Sequence, residues 1–363
     1  MSENPQWSVM PLGRQLNLKR GHDLPKRLRV EGAIPIYSSS GLSGRHSTAK
    51  CEPPGVITGR YGTIGNVFFA SEPYWPLNTT LYVEDFKSND PKFVYYFLKT
   101  FDWDAYSDKS AVPGVNRNHV HEELVAFPPV DEQRAIADVL TSLDDKIDLL
   151  HRQNKTLEAM AETLFRQWFV EEAEDGWVEA KLPDEFDFEM GTSPKGDTFN
   201  EHGEGMPMYQ GNADFGFRFP QRRIYTTAPK RTAKKGDTLI SVRAPVGAQN
   251  MASETCCIGR GVAAFRLSQN PMFIAYTFYK LRAMMTEFEQ FNAEGTVFGS
   301  ISKRDVSELP ILLPPPDRIE KFHRHVGPVD AKVIANCKQI ISLEKLRDTL
   351  LPKLMSGEVR VAS

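Results

Sequence analysis

The sequence predicts an α+β protein in which two mixed α/β heads stand in tandem, separated by an antiparallel coiled coil of two long helices. Three observations carry this reading. Two stretches with the same heptad pattern lie 186 positions apart, a globular stretch precedes each, and short motifs recur inside the globular stretches in the same order.

The first head opens the repeat. Gly55-Val56-Ile57-Thr58-Gly59-Arg60-Tyr61-Gly62-Thr63-Ile64-Gly65-Asn66 reads as a short buried strand followed by a tight, glycine-punctuated turn that carries an arginine. Asp90-Pro91-Lys92-Phe93 places an N-cap before a proline at the first helical position, where its missing N–H is no loss. Val112-Pro113-Gly114-Val115-Asn116-Arg117 is a loop before a strand, and Pro128-Pro129 ends that strand. The second head repeats the order with Gly236-Asp237-Thr238-Leu239-Ile240-Ser241-Val242-Arg243-Ala244-Pro245-Val246-Gly247. It continues with Asn270-Pro271-Met272-Phe273, then Val297-Phe298-Gly299-Ser300-Ile301-Ser302-Lys303, then Pro314-Pro315-Pro316.

After each proline cluster the period changes. Ile136, Leu140, Leu143, Ile147, Leu150, Asn154, Leu157, Ala161, Leu164 and Trp168 follow alternating steps of four and three, which line one stripe of a helix. Phe322, Val326, Val329, Val333, Asn336, Ile340, Leu343, Arg347, Leu350 and Leu354 hold the same places 186 residues later. Each helix is expected to break near its start, at Thr141-Ser142 and at Gly327-Pro328. A short helix would precede a long one of about 28 residues, or about 42 Å. Residues 131–175 hold twelve Asp/Glu against five Lys/Arg, whereas residues 317–363 hold nine Lys/Arg against six acids, so antiparallel pairing brings unlike faces together. One register sets Asn154 opposite Asn336, Ile147 opposite Leu343 and Leu150 opposite Ile340, two buried amides satisfying each other. A shift by one heptad centres the helices better, and both registers stand.

The bulk numbers bound the rest. At 363 residues with 40% hydrophobic and 25% charged residues, the chain is long enough for two ordinary domains. No run approaches the length of a membrane span, Met1-Ser2-Glu3-Asn4-Pro5 is no signal peptide, and Cys51, Cys256, Cys257 and Cys337 form no CxxC pair. A reduced, cytoplasmic protein without a zinc cluster is the economical reading. The net charge of -3 hides a segregation: residues 11–60 hold nine Lys/Arg against three acids, and residues 195–266 eleven against six. Two local basic surfaces suit a polyanion.

Catalytic fragments do not survive comparison between the repeats. Asn270-Pro271-Met272-Phe273 is close to the loop with which amino-methyltransferases hold an extruded adenine, yet its counterpart Asp90-Pro91-Lys92-Phe93 lacks the amide, and a helix N-cap explains both. Gly59, Gly62 and Gly65 lack the Gly-Lys-Ser/Thr ending of a phosphate loop, and Asp330-Ala331-Lys332 has no acidic partner motif upstream. What remains is binding chemistry. Ser38-Ser39-Ser40-Gly41 beside Arg45 and His46, and Arg60-Tyr61 with Thr63, serve the first head, with Arg117 in the loop before its last strand. The second head offers Lys195, Gln210, Asn212, Arg218, Arg222, Arg223, Arg243, Arg260 and Lys303, interleaved with Phe215, Phe217, Phe219 and Tyr225. Arg reads guanine and Asn or Gln reads adenine through paired hydrogen bonds, while Lys and Ser commonly hold phosphates.

The chain resembles the specificity (S) subunit of type I restriction–modification systems over nearly its whole length. The motifs that carry the likeness are Pro128-Pro129-Val130-Asp131-Glu132-Gln133-Arg134-Ala135-Ile136 with Leu143-Asp144-Asp145-Lys146-Ile147, Gly59-Arg60-Tyr61-Gly62-Thr63-Ile64-Gly65 and Trp75-Pro76-Leu77-Asn78-Thr79-Thr80. Ile240–Gly247, Ile258-Gly259-Arg260-Gly261 and Leu350-Leu351-Pro352-Lys353-Leu354-Met355-Ser356-Gly357-Glu358 complete them, while Pro315-Pro316-Asp317-Arg318-Ile319 departs by lacking the Glu-Gln pair. The resemblance implies target-recognition domains at residues 1–127 and 176–312, with spacer helices at 128–175 and 313–363. It implies a non-catalytic subunit that reads a split, asymmetric site in double-stranded DNA, one half per head. It also implies two modification subunits that bind S-adenosylmethionine, and restriction subunits that use ATP and Mg to translocate and cleave. No cofactor is expected on this chain. A self-contained adenine methyltransferase and a coiled-coil protein scaffold are the alternatives.

Overall fold

The computed structural model describes residues 7–106, 114–174, 176–292 and 299–361. Of the motifs above, Val112-Pro113 and Val297-Phe298 lie outside the described residues, as does Met1–Pro5. The chain forms two compact units, one made of residues 1–148 with 341–363 and the other of residues 149–340.

In the first unit a four-stranded antiparallel sheet runs in the order Asn17–Arg20, Thr80–Asp85, Gly55–Gly59, Val67–Ala70. The Gly55–Gly59 strand is buried on both faces, in keeping with a run whose one polar side chain is Thr58. A smaller sheet pairs Ile34–Ser38 antiparallel with Gly41–His46 and parallel with Trp75–Pro76. Strand Ser8–Pro11 pairs with Leu124–Phe127 to form a ribbon that leads into the first long helix. Helix Pro91–Thr100 starts as the sequence indicates: the Asp90 carboxylate accepts from the amides of Lys92 and Phe93 at 3.0 and 2.9 Å. Its Phe93, Val94 and Leu98 join Leu81, Val83, Phe127, Ile136 and Leu140 in one core.

The second unit repeats this plan. Its four-stranded sheet runs Phe186–Met190, Val262–Leu267, Thr238–Ser241, Gln249–Met251, again all antiparallel. Its ribbon pairs Val178–Lys181 with Pro310–Leu313, and its second sheet is larger, with five strands. Asn270 departs from the expected role. Its side chain accepts from the Met272 amide at 3.1 Å in a local turn, and the helix begins only at Ile274, because Phe273 is drawn onto the ring of His323 with centroids 4.5 Å apart.

The long helices are also unlike the expectation. Val130–Arg166 and Pro316–Ser356 each run unbroken, for 37 and 41 residues. Ser142 turns its hydroxyl back onto the Val139 carbonyl at 2.8 Å instead of capping a new start. Gly327-Pro328 is accommodated within the second helix: an interior proline costs about 3 kcal/mol, and full burial of Phe322, Val326 and Val333 around it outweighs that.

Within the second unit, residues 149–166 and 316–340 lie side by side in opposite chain directions. Asn336 donates to the Asn154 amide oxygen at 2.9 Å, Phe322 meets Phe165 and Trp168, and Arg318 donates to the Trp168 carbonyl. Ile147, Leu150, Asn154, Val333, Asn336 and Ile340 are buried. Leu143, Leu157, Leu164, Val329, Leu343 and Leu350 are half-buried. The proline-rich lead-ins are filled differently. Gln133 is buried and joins the Asp90 amide, Asn89 and the Pro128 carbonyl, and Glu132 pairs with Arg360. At the matching places Arg318 binds Glu172 and the Trp168 carbonyl, and Ile319 is simply apolar core.

Candidate nucleic-acid interface

In the first unit the end of strand Gly55–Gly59 is gripped from two sides. The Arg60 amide donates to the Thr79 carbonyl at 2.8 Å, and the Arg60 carbonyl accepts from the Val115 amide at 2.9 Å. Tyr61 then packs its ring against Gly114, where a Cβ would sit only 2.3 Å from it, and Gly62 turns the chain away at a φ of 85°. The Arg60 guanidinium lies 4.5 Å from the Tyr61 ring centroid, so the pair presents one stacked face. Asn116 caps helix Arg117–Glu122 by accepting from the Asn118 amide at 3.1 Å, which leaves Arg117 at the helix start with one guanidinium nitrogen on the Leu18 carbonyl. Together with Lys19 and Arg20 these side chains line a basic cleft. Beneath it, His121 Nε2 accepts from the Leu18 amide at 2.9 Å, and burial, Arg117 and Lys87 hold its pKa below the ordinary value.

The second unit builds its cleft the same way. The Val242 amide donates to the Gly261 carbonyl at 2.9 Å, and the Val242 carbonyl accepts from the Ile301 amide at 3.0 Å. Ser302 caps helix Lys303–Glu308 as Asn116 caps its counterpart. Backbone bonding thus matches Arg60 to Val242 and Tyr61 to Arg243. A cleft of about 420 Å³ opens here, lined by Gln210, Asn212, Arg223, Arg243 and Arg260 with Ser193 and Asp214. Asp214 is buried and organises the rim, accepting from the Gln210 amide at 2.7 Å and from the Arg223 guanidinium. Two amides and three guanidiniums converge on one concavity, the donor and acceptor set that base edges and phosphates require.

The structure therefore gathers Arg60, Tyr61 and Arg117 in one cleft and Gln210, Asn212, Arg223, Arg243 and Arg260 in the other. Arg45, Thr63, Lys195 and Lys303 are exposed but outside both clefts. Arg222 is turned to Glu254, with Nε 2.6 Å from the carboxylate. Two candidates are corrected. His46 is buried, its Nδ1 tied to the Val30 backbone and its ring edge-on to Trp75 at 5.3 Å. Arg218 is 1% exposed, because Glu158 and Asp330 draw its guanidinium inward while Phe217 stays outside. Lys19, Arg20, Asn116, Asn118, Ser193 and Asp214 are polar cleft residues that the sequence candidates did not include. The repeat held a signal for one of them, Asn116, since Asn116-Arg117 and Ser302-Lys303 lie 186 positions apart.

The fragment that looks like a methyltransferase loop is held in local contacts. The Asn270 side-chain oxygen accepts from the Met272 amide, and Phe273 is stacked on His323. Burial pushes the Cys256 thiol up to about 12. Among the described residues no three His, Cys, Asp or Glu side chains cluster as metal ligands, and no helix is long and apolar enough to cross a membrane.

Comparison with known proteins places the chain in company. The sequence profile of the type I restriction modification DNA specificity domain matches twice, over residues 4–159 and 174–345. A protein of Methanocaldococcus jannaschii named for the MjaX type I restriction enzyme specificity subunit is 30% identical, over 75% of this chain and 69% of its own. The MjaIX specificity subunit of the same organism is 28% identical over 84% and 77%. The crystal structure of a type I restriction–modification S subunit from M. genitalium aligns over 98% of this chain and 97% of its own, with a TM-score of 0.70 at 20% identity, which shows a shared fold.

Proposed function

We propose, from the premise that this chain belongs to the type I restriction modification DNA specificity domain family, that each head, residues 1–127 and 176–312, reads one half of a bipartite, asymmetric site in double-stranded DNA. The observation that carries the reading is the pair of clefts built on one backbone plan but furnished with different side chains. A shared frame with unlike contents suits two different half-sites. The long helices act as an antiparallel coiled coil that fixes half-site spacing and docks two modification subunits. The Asn154–Asn336 bond and the burial of Leu150, Val333 and Ile340 support that role. Restriction subunits join the assembly, and S-adenosylmethionine, ATP and Mg belong to the partners. The chain itself is non-catalytic and works in the cytoplasm.

The test is binding of the full-length chain, with its modification subunit, to duplexes carrying two specific blocks across a varied gap. One gap length should bind, and a change of one or two base pairs should abolish specific binding. Equal binding at every gap would overturn the spacer. Affinity should also fall steeply with salt, as several phosphate contacts demand. A salt-independent complex would favour a protein scaffold, and methyl transfer by the lone chain would favour an enzyme.

A further inference from the structure

In the second unit, the Arg218 guanidinium is enclosed by one carboxylate from each long-helix segment. Its Nη2 donates to Asp330 and, at 3.1 Å, to the Tyr279 hydroxyl, while Nε lies 3.3 Å from Glu158 Oε1. The Phe278 ring centroid is 3.7 Å from the guanidinium carbon. Burial opposes the charge, but Asp330, Tyr279 and Glu158 around it hold the Arg218 pKa above its ordinary value. The same loop carries the polar rim of the cleft. The Met251 amide donates to the Arg218 carbonyl, Asn250 to the Gly216 carbonyl, and Gln221 to the Asp214 carbonyl, at 2.9, 2.7 and 2.8 Å. Asp214 in turn holds Gln210 and Arg223. The helix carboxylates therefore hold Arg218 within the same loop whose backbone bonds fix Asp214, and Asp214 holds the residues lining the cleft.

The first unit supplies a matched comparison. Asp144 stands 186 residues before Asp330, in Leu143-Asp144-Asp145-Lys146-Ile147 against Val329-Asp330-Ala331-Lys332-Val333. Tyr96 is the sixth residue of helix Pro91–Thr100, as Tyr279 is of Ile274–Ala283. Tyr96 donates to Asp144 at 2.7 Å, but the cation there is Arg347, at 2.9 Å, from the second long helix. Carboxylate and tyrosine are kept, and the source of the cation differs. In the first unit it is a helix; in the second it is the loop that rims the cleft.

We propose that Arg218 is a positioning residue: through Asp330 and Glu158 the long helices set where loop 210–223 presents Gln210, Asn212 and Arg223. This rests on the DNA-reading function proposed above. A buried guanidinium needs its full set of carboxylates, so weakening one leaves the charge under-compensated and frees the loop. A residue that served only the core would lower stability without touching base preference.

The experiment takes the full-length chain with its modification subunit and selects from duplexes with a randomised core. Asp330→Asn, Arg218→Lys and the matched control Asp144→Asn are compared with wild type, with melting and amide exchange measured on each. Asp330→Asn and Arg218→Lys should flatten preference in one block of the selected site by about tenfold per base pair and leave the other block intact. Exchange at residues 210–223 should quicken. Asp144→Asn should lower the melting temperature while leaving both blocks and that loop unchanged. Wild-type preference in both blocks for Asp330→Asn or, should that variant not fold, for Arg218→Lys would overturn the proposal, as would equal flattening by Asp144→Asn. If wild type itself selects no sequence, the DNA-reading function falls, and loop exchange alone decides the anchor.

Discussion

At the scale of single residues, Tyr61 and Arg243 hold the same place on the same backbone frame, one an aromatic plate under Arg60 and the other an exposed guanidinium. Arg243→Ala is expected to weaken binding to one half-site by about 1–3 kcal/mol, the range of a bidentate base contact, and Arg60→Ala to do the same to the other. Neither should move the melting temperature, and titration of duplexes with one half-site scrambled reads the difference. A fall in stability with unchanged DNA binding would make these arginines structural. His121 makes a separate prediction. Its neutral ring accepts from the Leu18 amide, and its folded pKa lies below the 6.5 of the unfolded chain. The unfolded state then binds the extra proton first, so this stabilisation is complete above pH 6.5 and is lost as pH falls through the folded value. His121→Gln, which still accepts but does not titrate, should reduce the drop in melting temperature between pH 7 and about 5. Charge clustering pointed to Arg60, Arg117, Arg223, Arg243 and Arg260, because Gly/Pro turns and basic side chains are local features. Arg218 and His46 were misread because their partners, Glu158, Asp330 and Trp75, are distant in sequence.

At the scale of elements, a buried amide pair inside a helix seam has no apolar substitute on one side alone. Asn154→Leu should cost about 1–3 kcal/mol by taking the nearer of two acceptors from Asn336, and Asn336→Leu a similar amount. The double replacement should cost less than the two together, a coupling that a denaturation cycle measures. Simple additivity would mean that the 2.9 Å contact contributes nothing. The Asn154–Asn336 contact was legible because a 3.5-residue period is a strong signal carried by the chain itself. The break expected at Gly327-Pro328 was not, because local propensity yields to packing: Phe322, Val326 and Val333 are all fully buried. The same reasoning explains Asn270, whose sequence suits a cap but whose neighbour Phe273 is held by His323. Strand pairing within the heads, above all the parallel contacts of Ile34–Ser38 with Trp75–Pro76 and of Met206–Tyr209 with Cys256–Ile258, leaves no comparable mark in the sequence.

At the scale of the whole molecule, the net charge of -3 says little, since Lys19, Arg20, Arg60 and Arg117 gather in one cleft and Arg223, Arg243 and Arg260 in the other. The proposed spacer predicts that changing the DNA gap acts on both halves at once, whereas scrambling one half-site spares the other; binding curves on the two kinds of duplex separate the effects. The division of the chain has one more consequence, for the order in which it becomes structured. Residues 149–340 are contiguous and can complete their unit once they are made, but the earlier-made residues 1–148 lack Leu350, Leu351, Leu354 and Met355 until those later residues follow. The usual N-terminal-first sequence of co-translational maturation is reversed. A nascent chain stalled before residue 341 should therefore protect its later half from protease while its first half is still being cut.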